Sequence, residues 1–180
     1  EGMTCFLGYY ILKALTDCGD KANVLEMIKE FYGGMISLGA TTFWEDFDID
    51  WMKECPQGLA EIPVSGKKNI HRDYGKFCYT GFRHSLCHGW ASGIYAFLVE
   101  SIAGIKPKTT GFKDVIIRPN LCGLKTIKCC VPTPQGEISV EHSDKNGKIY
   151  SKIIVPEGVV VDYSEIDSVN IEHSSRTMAD

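Results

Sequence analysis

The hydrophobic pattern of this chain changes its period once, close to Pro107. Before that point apolar residues recur every three to four positions, which is typical of amphipathic helices. Beyond it they alternate with polar residues, which is typical of half-buried strands. Because helical and strand segments do not alternate along the chain, the pattern favours a segregated α+β fold of two packed units over a parallel α/β sheet.

The first part of the chain contains three predicted helices. They run from Thr4 to Asp17, from Asp20 to Gly39 and from Ser85 to Gly104. The second and third begin at side chains that can cap a helix, Asp20 and Ser85, and each of the three has a glycine as its stop signal. The segment from Asp50 to Thr80 carries scattered proline and glycine and is predicted to be irregular, and such long loops are usually functional or mobile.

The second part of the chain contains the predicted strands, which are residues 115–117, 124–131, 137–142, 148–155 and 159–163. The pair Asn146-Gly147 is the strongest hairpin signal, since a type I′ turn needs positive φ at both central residues. The segment from Ser164 to Asp180 is a polar tail with a weak pattern.

Charge and hydropathy exclude two classes of partner. The formal net charge is −4 and Lys and Arg are not clustered, so the sequence predicts binding to neither nucleic acid nor an anionic membrane. No apolar run approaches the ~20 residues of a membrane span. The N-terminal residues lack the order of a signal peptide and start close to a helical pattern, as a piece of a longer protein would. The sequence indicates a soluble chain and leaves the compartment open, with a periplasmic or secreted parent protein as one candidate.

A carboxylate pair lies beside aromatic rings in the segment from Gly39 to Asp48. A carboxyl group packed against aromatic faces is poorly solvated, which can raise its pKa towards the pH at which it moves a proton. Aromatic faces also fit the apolar face of a sugar ring. Glu45 beside Trp44 therefore suggests a glycosidase subsite. The alternative interpretation is that Trp44 and Phe47 are core residues and the acids are solvated loop charges.

Blocks of sequence in a fixed order resemble the C-terminal part of bacterial α-L-rhamnosidases, glycoside hydrolase family 78. They are Gly-Ala-Thr-Thr-Phe-Trp-Glu at 39–45, Ser-Leu-Cys-His-Gly-Trp at 85–90, Ala-Gly-Ile-Lys-Pro at 103–107 and Gly-Phe-Lys-Asp-Val-Ile-Ile-Arg-Pro-Asn at 111–120. The resemblance covers the chain from about Thr4 to about Val161.

The resemblance implies a division of the chain into three parts. Residues 1–106 would be the end of an (α/α)6 toroid, the barrel of six-hairpin glycosidases, and this part alone cannot close the barrel. Residues 107–163 would form a small antiparallel β-sandwich domain, and residues 164–180 would be the polar tail. The missing N-terminal part of the same enzyme would then be a partner. Apolar helix faces left exposed would favour homo-association.

The resemblance also implies an activity, the inverting hydrolysis of terminal α-L-rhamnosides. Glu45 matches the family's catalytic base, whereas the general acid lies in an upstream loop that this sequence does not contain. His88 and Trp90 are expected to contact the sugar, and Trp44 would be either a platform against the sugar or the wall that tunes Glu45. Asp48 is placed with them, although hydrogen bonds to backbone amides of its own loop are its more plausible role. Many members of the family carry Asn at the position of Cys87.

Metal binding is not predicted, and neither is a cofactor. Asp46, Asp48 and Asp50 form a D-x-D-x-D pattern, but Trp51 and Gln57 stand where a calcium loop needs Gly and Glu. His84, Cys87 and His88 have spacings that would place them on one helix face, yet no spacing suggests a fourth ligand. The eight cysteines include no C-x-x-C pair.

The sequence leaves two classes of function open. The first is a segment of an inverting rhamnosidase that carries the base but not the acid. The second is a non-catalytic carbohydrate-binding or structural module of a polysaccharide-degrading protein. The discriminating feature is whether Glu45 lies in a concave aromatic site or on a convex surface. In both cases the expected partner is a glycan of the rhamnoside type.

Overall fold

A computed structural model describes residues 3–54, 65–66, 85–163 and 166–174 of the chain. These residues divide into two compact units, which are residues 1–94 and residues 95–180. The division falls before the boundary at residue 106 that the sequence analysis proposes. Most of the segment predicted to be irregular, from Asp50 to Thr80, lies outside the described residues.

The first unit is mainly helical. Its elements are β1 (Met3–Thr4), α1 (Cys5–Asp17), α2 (Lys21–Met27), a π-helical segment (Ile28–Tyr32), α3 (Gly33–Ser37), β2 (Asp46–Phe47), α4 (Trp51–Glu54) and a 3-10 segment (Gly89–Ser92). The predicted cap of the second helix is confirmed, because Asp20 Oδ1 accepts the N–H of Asn23, and the first helix is capped by Thr4, whose Oγ1 accepts the N–H of Leu7. Gly39 ends the second helical segment with a φ of +91°, in the left-handed region that favours glycine.

The third predicted helix starts later than expected. Ser85 was predicted to cap it, but the first helical turn begins at Gly89, and a short helix α5 (Gly93–Phe97) and a π-helical segment (Leu98–Ile102) follow. The physical reason is that the backbone around Ser85 bonds elsewhere: its carbonyl accepts the N–H of Glu45 at 2.9 Å. A backbone committed to a neighbouring loop cannot also begin a helix.

The second unit contains a sheet of three strands and a sheet of four. Its strands are β3 (Ile105–Pro107), β4 (Asp114–Ile117), β5 (Thr126–Thr133), β6 (Gly136–Lys145), β7 (Lys148–Pro156), β8 (Val160–Asp162) and β9 (Ser168–Ser174). The sheet orders are β3-β4-β8 and β5-β6-β7-β9. The turn between β6 and β7 is as predicted, with Asn146 at φ +58° and Gly147 at φ +81°.

The prediction of a purely antiparallel β domain needs a correction. Antiparallel pairs dominate, but β4 pairs with β8 and β7 pairs with β9 in parallel. Strand β9 lies within the segment that the sequence analysis describes as a polar tail. Its Val169 and Ile171 pack against the core of the unit, while the residues between and around them are polar or exposed. A short strand with only two inward apolar side chains gives a weak sequence pattern.

Both sheets contribute to one apolar core. The buried residues are Ala103, Ile105, Val115 and Ile117 before or in the three-stranded sheet, Ile138, Val140, Ile153 and Val155 in the four-stranded sheet, and Val159. Alternate residues of each strand point into this core, as the period of two requires.

A buried histidine links the four-stranded sheet to the chain segment just before β3. His142 of β6 is fully buried, with Nδ1 at 2.6 Å from Ser151 Oγ and Nε2 at 3.1 Å from the carbonyl oxygen of Ala103. Because a carbonyl can only accept, Nε2 carries the proton and Nδ1 accepts the hydroxyl proton of Ser151. Burial lowers the pKa of His142, and the bond to Ala103 opposes that shift.

We predict that this histidine makes the stability of the second unit depend on pH. The ordinary pKa is 6.5 and the folded value is lower, so the unfolded chain takes up a proton first as the pH falls. Stability is therefore fully present above about pH 6.5 and is lost below it. Urea unfolding of the chain at pH 7.5 and pH 5 measures this effect. His142→Gln should reduce the pH dependence and cost roughly 1–3 kcal/mol at pH 7.5.

The matched control is His173→Gln, which removes an exposed histidine of the same sheet. It should leave both the stability and its pH dependence close to those of the parent chain. A pH dependence that survives His142→Gln unchanged would contradict the assignment.

Candidate active site

Two buried rings hold the carboxylate loop of the first unit in place. Trp44 and Phe47 are both fully buried, and their ring centroids are 5.9 Å apart. Phe47 also packs edge-to-face on Phe31 and Trp51, at 5.2 and 5.7 Å. Because the residues on either side are anchored in the core, the position of Glu45 at the edge of the unit is fixed by packing.

The segment Ser85–His88 runs beside this loop and is bonded to it through the backbone. The N–H of Glu45 donates to the carbonyl of Ser85 at 2.9 Å, and the N–H of His88 donates to the carbonyl of Phe43 at 2.8 Å. The hydroxyl of Thr42 donates to the carbonyl of Leu86. Two blocks of the sequence that are forty residues apart therefore lie side by side.

The carboxylate of Glu45 is oriented by the same segment. The N–H of Ser85 donates to Glu45 Oε2 at 3.2 Å, and His88 Nδ1 lies 3.9 Å from the same oxygen. The latter distance is too long for a hydrogen bond and fits an ion pair when the imidazole is protonated. The side chain of Glu45 is 15% exposed and that of His88 is 30% exposed. The structure thus brings together two of the predicted site residues, with both reaching the surface.

Trp44 and Asp48 support the loop. Trp44 has no exposed surface, so of its two predicted roles the structure fits the wall behind Glu45 and not a platform for a sugar. Asp48 Oδ1 accepts the N–H of Asp50 at 3.0 Å, and its carbonyl accepts that of Trp51. Asp48 therefore holds the turn into α4 through backbone amides, as the sequence analysis expects.

Trp90 lies in a row of half-exposed rings that we call the aromatic wall, defined as His88, Trp90, Phe6 and Tyr10. The centroids are 4.7 Å apart for His88 and Trp90, 5.6 Å for Trp90 and Phe6, and 5.4 Å for Phe6 and Tyr10. The wall begins at the imidazole beside Glu45 and continues over the surface of α1.

Phe6 and Tyr10 are not among the site residues predicted from the sequence. They are four positions apart on α1, which places them on one face of the helix. Helix α1 approaches the Trp90 segment closely, because a Cβ on Gly93 would lie 2.8 Å from the Cβ of Tyr9. Aromatic residues at helical spacing usually indicate a core stripe, so only the exposure of these rings reveals the wall.

Three polar side chains of the first unit, Cys5, Asp46 and Tyr32, are buried near one another. Burial, together with the nearby charge of Asp46, raises the pKa of the Cys5 thiol to about 12. Burial likewise raises the pKa of Tyr32, with Cys5 as a second cause. Both groups are therefore protonated near neutral pH, which makes Cys5 unsuitable as a nucleophile.

The predicted ligand group His84, Cys87 and His88 lies partly outside the described residues, because His84 is not among them. Within residues 3–54, 65–66, 85–163 and 166–174, no group of three or more His, Cys, Asp and Glu side chains could hold a metal ion. Over the same residues, no helix is both long enough and apolar enough to cross a membrane.

Comparison with known proteins places these features in a family context. Residues 104–163 match the family described as the bacterial alpha-L-rhamnosidase C-terminal domain. An alpha-L-rhamnosidase of Formosa agariphila is 34% identical over 98 residues, which are 51% of this chain and 10% of that protein. An alpha-L-rhamnosidase of Alteromonas sp. (strain LOR) is 29% identical over 168 residues, which are 89% of this chain and 16% of that protein.

Solved structures of rhamnosidases are also similar to this chain. The GH78 family rhamnosidase of Bacillus sp. GL1 superposes with a TM-score of 0.64 at 26% identity, over 96% of this chain and 16% of that one. The Streptomyces avermitilis alpha-L-rhamnosidase, at 21% identity, has a TM-score of 0.58 over 84% of this chain and 13% of that one, and it shares the fold. These matches confirm the resemblance to the C-terminal part of such enzymes. The chain spans no more than about a sixth of the relatives it matches.

We predict that the two tryptophans of this site differ in their contribution to stability. Trp44→Ala should lower the free energy of unfolding by roughly 3–5 kcal/mol, because it empties a fully buried site. Trp90→Ala should cost on the order of 1 kcal/mol, because 53% of Trp90 is exposed and it loses mainly ring contacts. Urea unfolding of the two variants measures the difference, and equal losses would contradict this assignment of core and surface.

Proposed function

We propose that this chain forms the C-terminal part of a glycoside hydrolase family 78 α-L-rhamnosidase and carries its catalytic base, Glu45. The helical segments of residues 1–106 would complete an (α/α)6 toroid with the rest of the protein. The substrate would be a terminal α-L-rhamnoside, hydrolysed with inversion at the anomeric carbon.

The proposal rests on one observation, the fixed position of the Glu45 carboxylate. Its neighbouring backbone is anchored in the core, and its Oε2 accepts a backbone N–H. Trp44 and Phe47 fix the backbone around Glu45, and the N–H of Ser85 holds Oε2. A general base must keep its carboxylate directed at one water molecule, and such preorganisation is what buried anchors and backbone donors provide. Two of the four blocks that carry the resemblance to the family, 39–45 and 85–90, are also the segments that meet at this carboxylate.

In this mechanism Glu45 removes a proton from water while the water attacks the anomeric carbon. The general acid protonates the leaving oxygen on the opposite face of the sugar. In inverting enzymes the two carboxyl groups stand ~6.5–9.5 Å apart, which leaves room for the water. By the family resemblance the acid is supplied by the longer protein. His88, whose Nδ1 lies 3.9 Å from Glu45 Oε2, would contact a hydroxyl group of the sugar.

We predict that Glu45 variants of the full-length enzyme lose turnover more than affinity. Glu45→Gln and Glu45→Ala should lower kcat by roughly 10²–10⁴-fold, the contribution of a general base. The affinity for the sugar should change little, because the base acts on water. Azide needs no deprotonation, so it should restore part of the rate in Glu45→Ala and give a glycosyl azide of inverted configuration. Steady-state kinetics on an aryl α-L-rhamnoside and analysis of the product test both points.

Two other acids serve as references for this test. Asp17→Asn makes the same chemical change in an exposed ion pair with Lys13 and should leave kcat unchanged. Asp48→Asn keeps an oxygen that can accept the N–H of Asp50, so it should lower activity far less than the Glu45 variants. Near-normal kcat in Glu45→Ala together with loss of activity in Asp48→Asn would assign the role of the base to Asp48 instead of Glu45.

We also predict that the 180-residue chain alone does not hydrolyse aryl α-L-rhamnosides. The general acid and most of the sugar pocket would belong to the remaining part of the enzyme. Incubation of the purified chain with p-nitrophenyl α-L-rhamnoside tests this. Turnover that disappears in Glu45→Gln would refute the proposed division of the catalytic pair.

A further inference from the structure

We infer that Thr42 is a positioning residue for the proposed base. Its hydroxyl holds residues 85–88 against the carboxylate loop and thereby keeps the Glu45 carboxylate directed at the attacking water. The inference rests on the proposed function, because it takes Glu45 as the base. By this inference Thr42 acts through the neighbouring main chain and not on the sugar.

The two segments that meet at Glu45 are paired with unequal lengths. The N–H of Glu45 donates to the carbonyl of Ser85 at 2.9 Å, and the N–H of His88 donates to the carbonyl of Phe43 at 2.8 Å. The first segment runs from residue 43 to residue 45 between these bonds, whereas the second runs from residue 85 to residue 88. As in a β-bulge, the second segment therefore carries one residue more than its partner.

Thr42 binds the longer segment between these two main-chain bonds. Its hydroxyl donates to the carbonyl of Leu86. An extra residue disturbs the regular pairing of main-chain groups, and a carbonyl displaced in this way needs a donor from elsewhere. A hydroxyl from the carboxylate loop satisfies that need. It also fixes the distance at which the longer segment stands from the loop.

The bond from the longer segment to the carboxylate is sensitive to this distance. The N–H of Ser85 donates to Glu45 Oε2 at 3.2 Å, which is the upper end of the ordinary range of roughly 2.7–3.2 Å. Because Ser85 directly precedes Leu86, an outward movement of the Leu86 carbonyl would draw the Ser85 N–H away from the carboxylate. The side chain of Glu45 is 15% exposed, so water can replace the lost donor and leave the carboxylate free to rotate.

The size of the expected effect follows from the exposure of the Thr42 bond. A displacement of 1 Å at a reacting group can cost roughly 10²-fold in rate. Thr42 is exposed, so water can replace part of what its hydroxyl provides. The expected loss on removal of the hydroxyl is therefore smaller, about tenfold in kcat.

The experiment measures kcat and KM of the full-length enzyme on p-nitrophenyl α-L-rhamnoside. Thr42→Val keeps the branched side chain but removes the hydroxyl, so kcat should fall about tenfold with little change in KM. Thr42→Ser keeps the donor and should retain most of kcat, which guards against a fold defect in the valine variant. The matched control is Thr41→Val, a change at the neighbouring exposed threonine, which should leave kcat unchanged.

A double variant separates positioning of the base from support of the fold or of the sugar. In Glu45→Ala the carboxylate is absent, and azide supplies a nucleophile that needs no base. Adding Thr42→Val to Glu45→Ala should therefore leave the azide-supported rate unchanged, because the group that Thr42 positions is already missing. A residue needed for the fold or for sugar binding would lower this rate as much as it lowers kcat of the parent enzyme.

The possible failures of the inference and of the proposed function can be told apart. Near-parental kcat in Thr42→Val, while Glu45→Ala is inactive without azide, would overturn the role of Thr42 alone. A tenfold lower azide-supported rate in the double variant, or an equal loss in Thr41→Val, would do the same, where tenfold is about the loss expected from Thr42→Val itself. Near-parental kcat in Glu45→Ala would instead overturn the base assignment, and the role of Thr42 with it.

Discussion

Burial of Trp44 and Phe47 is the constraint on which the site of the first unit depends. Both rings have no exposed surface, and Phe47 contacts the rings of Phe31, Trp44 and Trp51. Helix α3 comes so close to Phe47 that a Cβ on Gly34 would lie 2.9 Å from the ring. A loop anchored in this way cannot shift its register, because a shift would remove a large ring from the core at a cost of several kcal/mol. Glu45, which lies between Trp44 and Phe47 in the sequence, is therefore held in a fixed position.

Ser85 contributes to the site through its backbone. Its carbonyl accepts the N–H of Glu45 and its N–H donates to the Glu45 carboxylate, so one residue fixes both the main chain and the side chain of the base. Such a pair of bonds does not depend on the identity of the side chain. The hydroxyl of a serine suggests a helix cap from sequence, and in this chain that suggestion was wrong because the main chain was already committed to the loop.

The parts of the fold that the sequence predicts well are those with a strong local cause. Asn146 and Gly147 form the expected turn because few other residues accept positive φ, and Asp20 caps the second helix through its own side chain. The parts that sequence reasoning misses depend on contacts between distant segments. Strand β9 is recognised as a strand by its pairing with β7. The pairing of residues 43–45 with residues 85–88 leaves no periodic pattern in the sequence. The aromatic wall is missed for a similar reason, since only packing decides which rings of α1 stay exposed.

The resulting site has two faces with different physical properties. On the buried side of Glu45 lie the closely packed rings of Trp44 and Phe47, and the unit also buries the Cys5 thiol, whose pKa is raised to about 12. In front of Glu45 lies the aromatic wall, whose rings keep much of their apolar surface exposed at an energetic cost of about 25 cal/mol per Å². A folded chain retains such a surface where an apolar part of a ligand or of the same protein covers it. Because the wall begins at the imidazole that contacts Glu45, the group that covers its first rings must also lie beside the base.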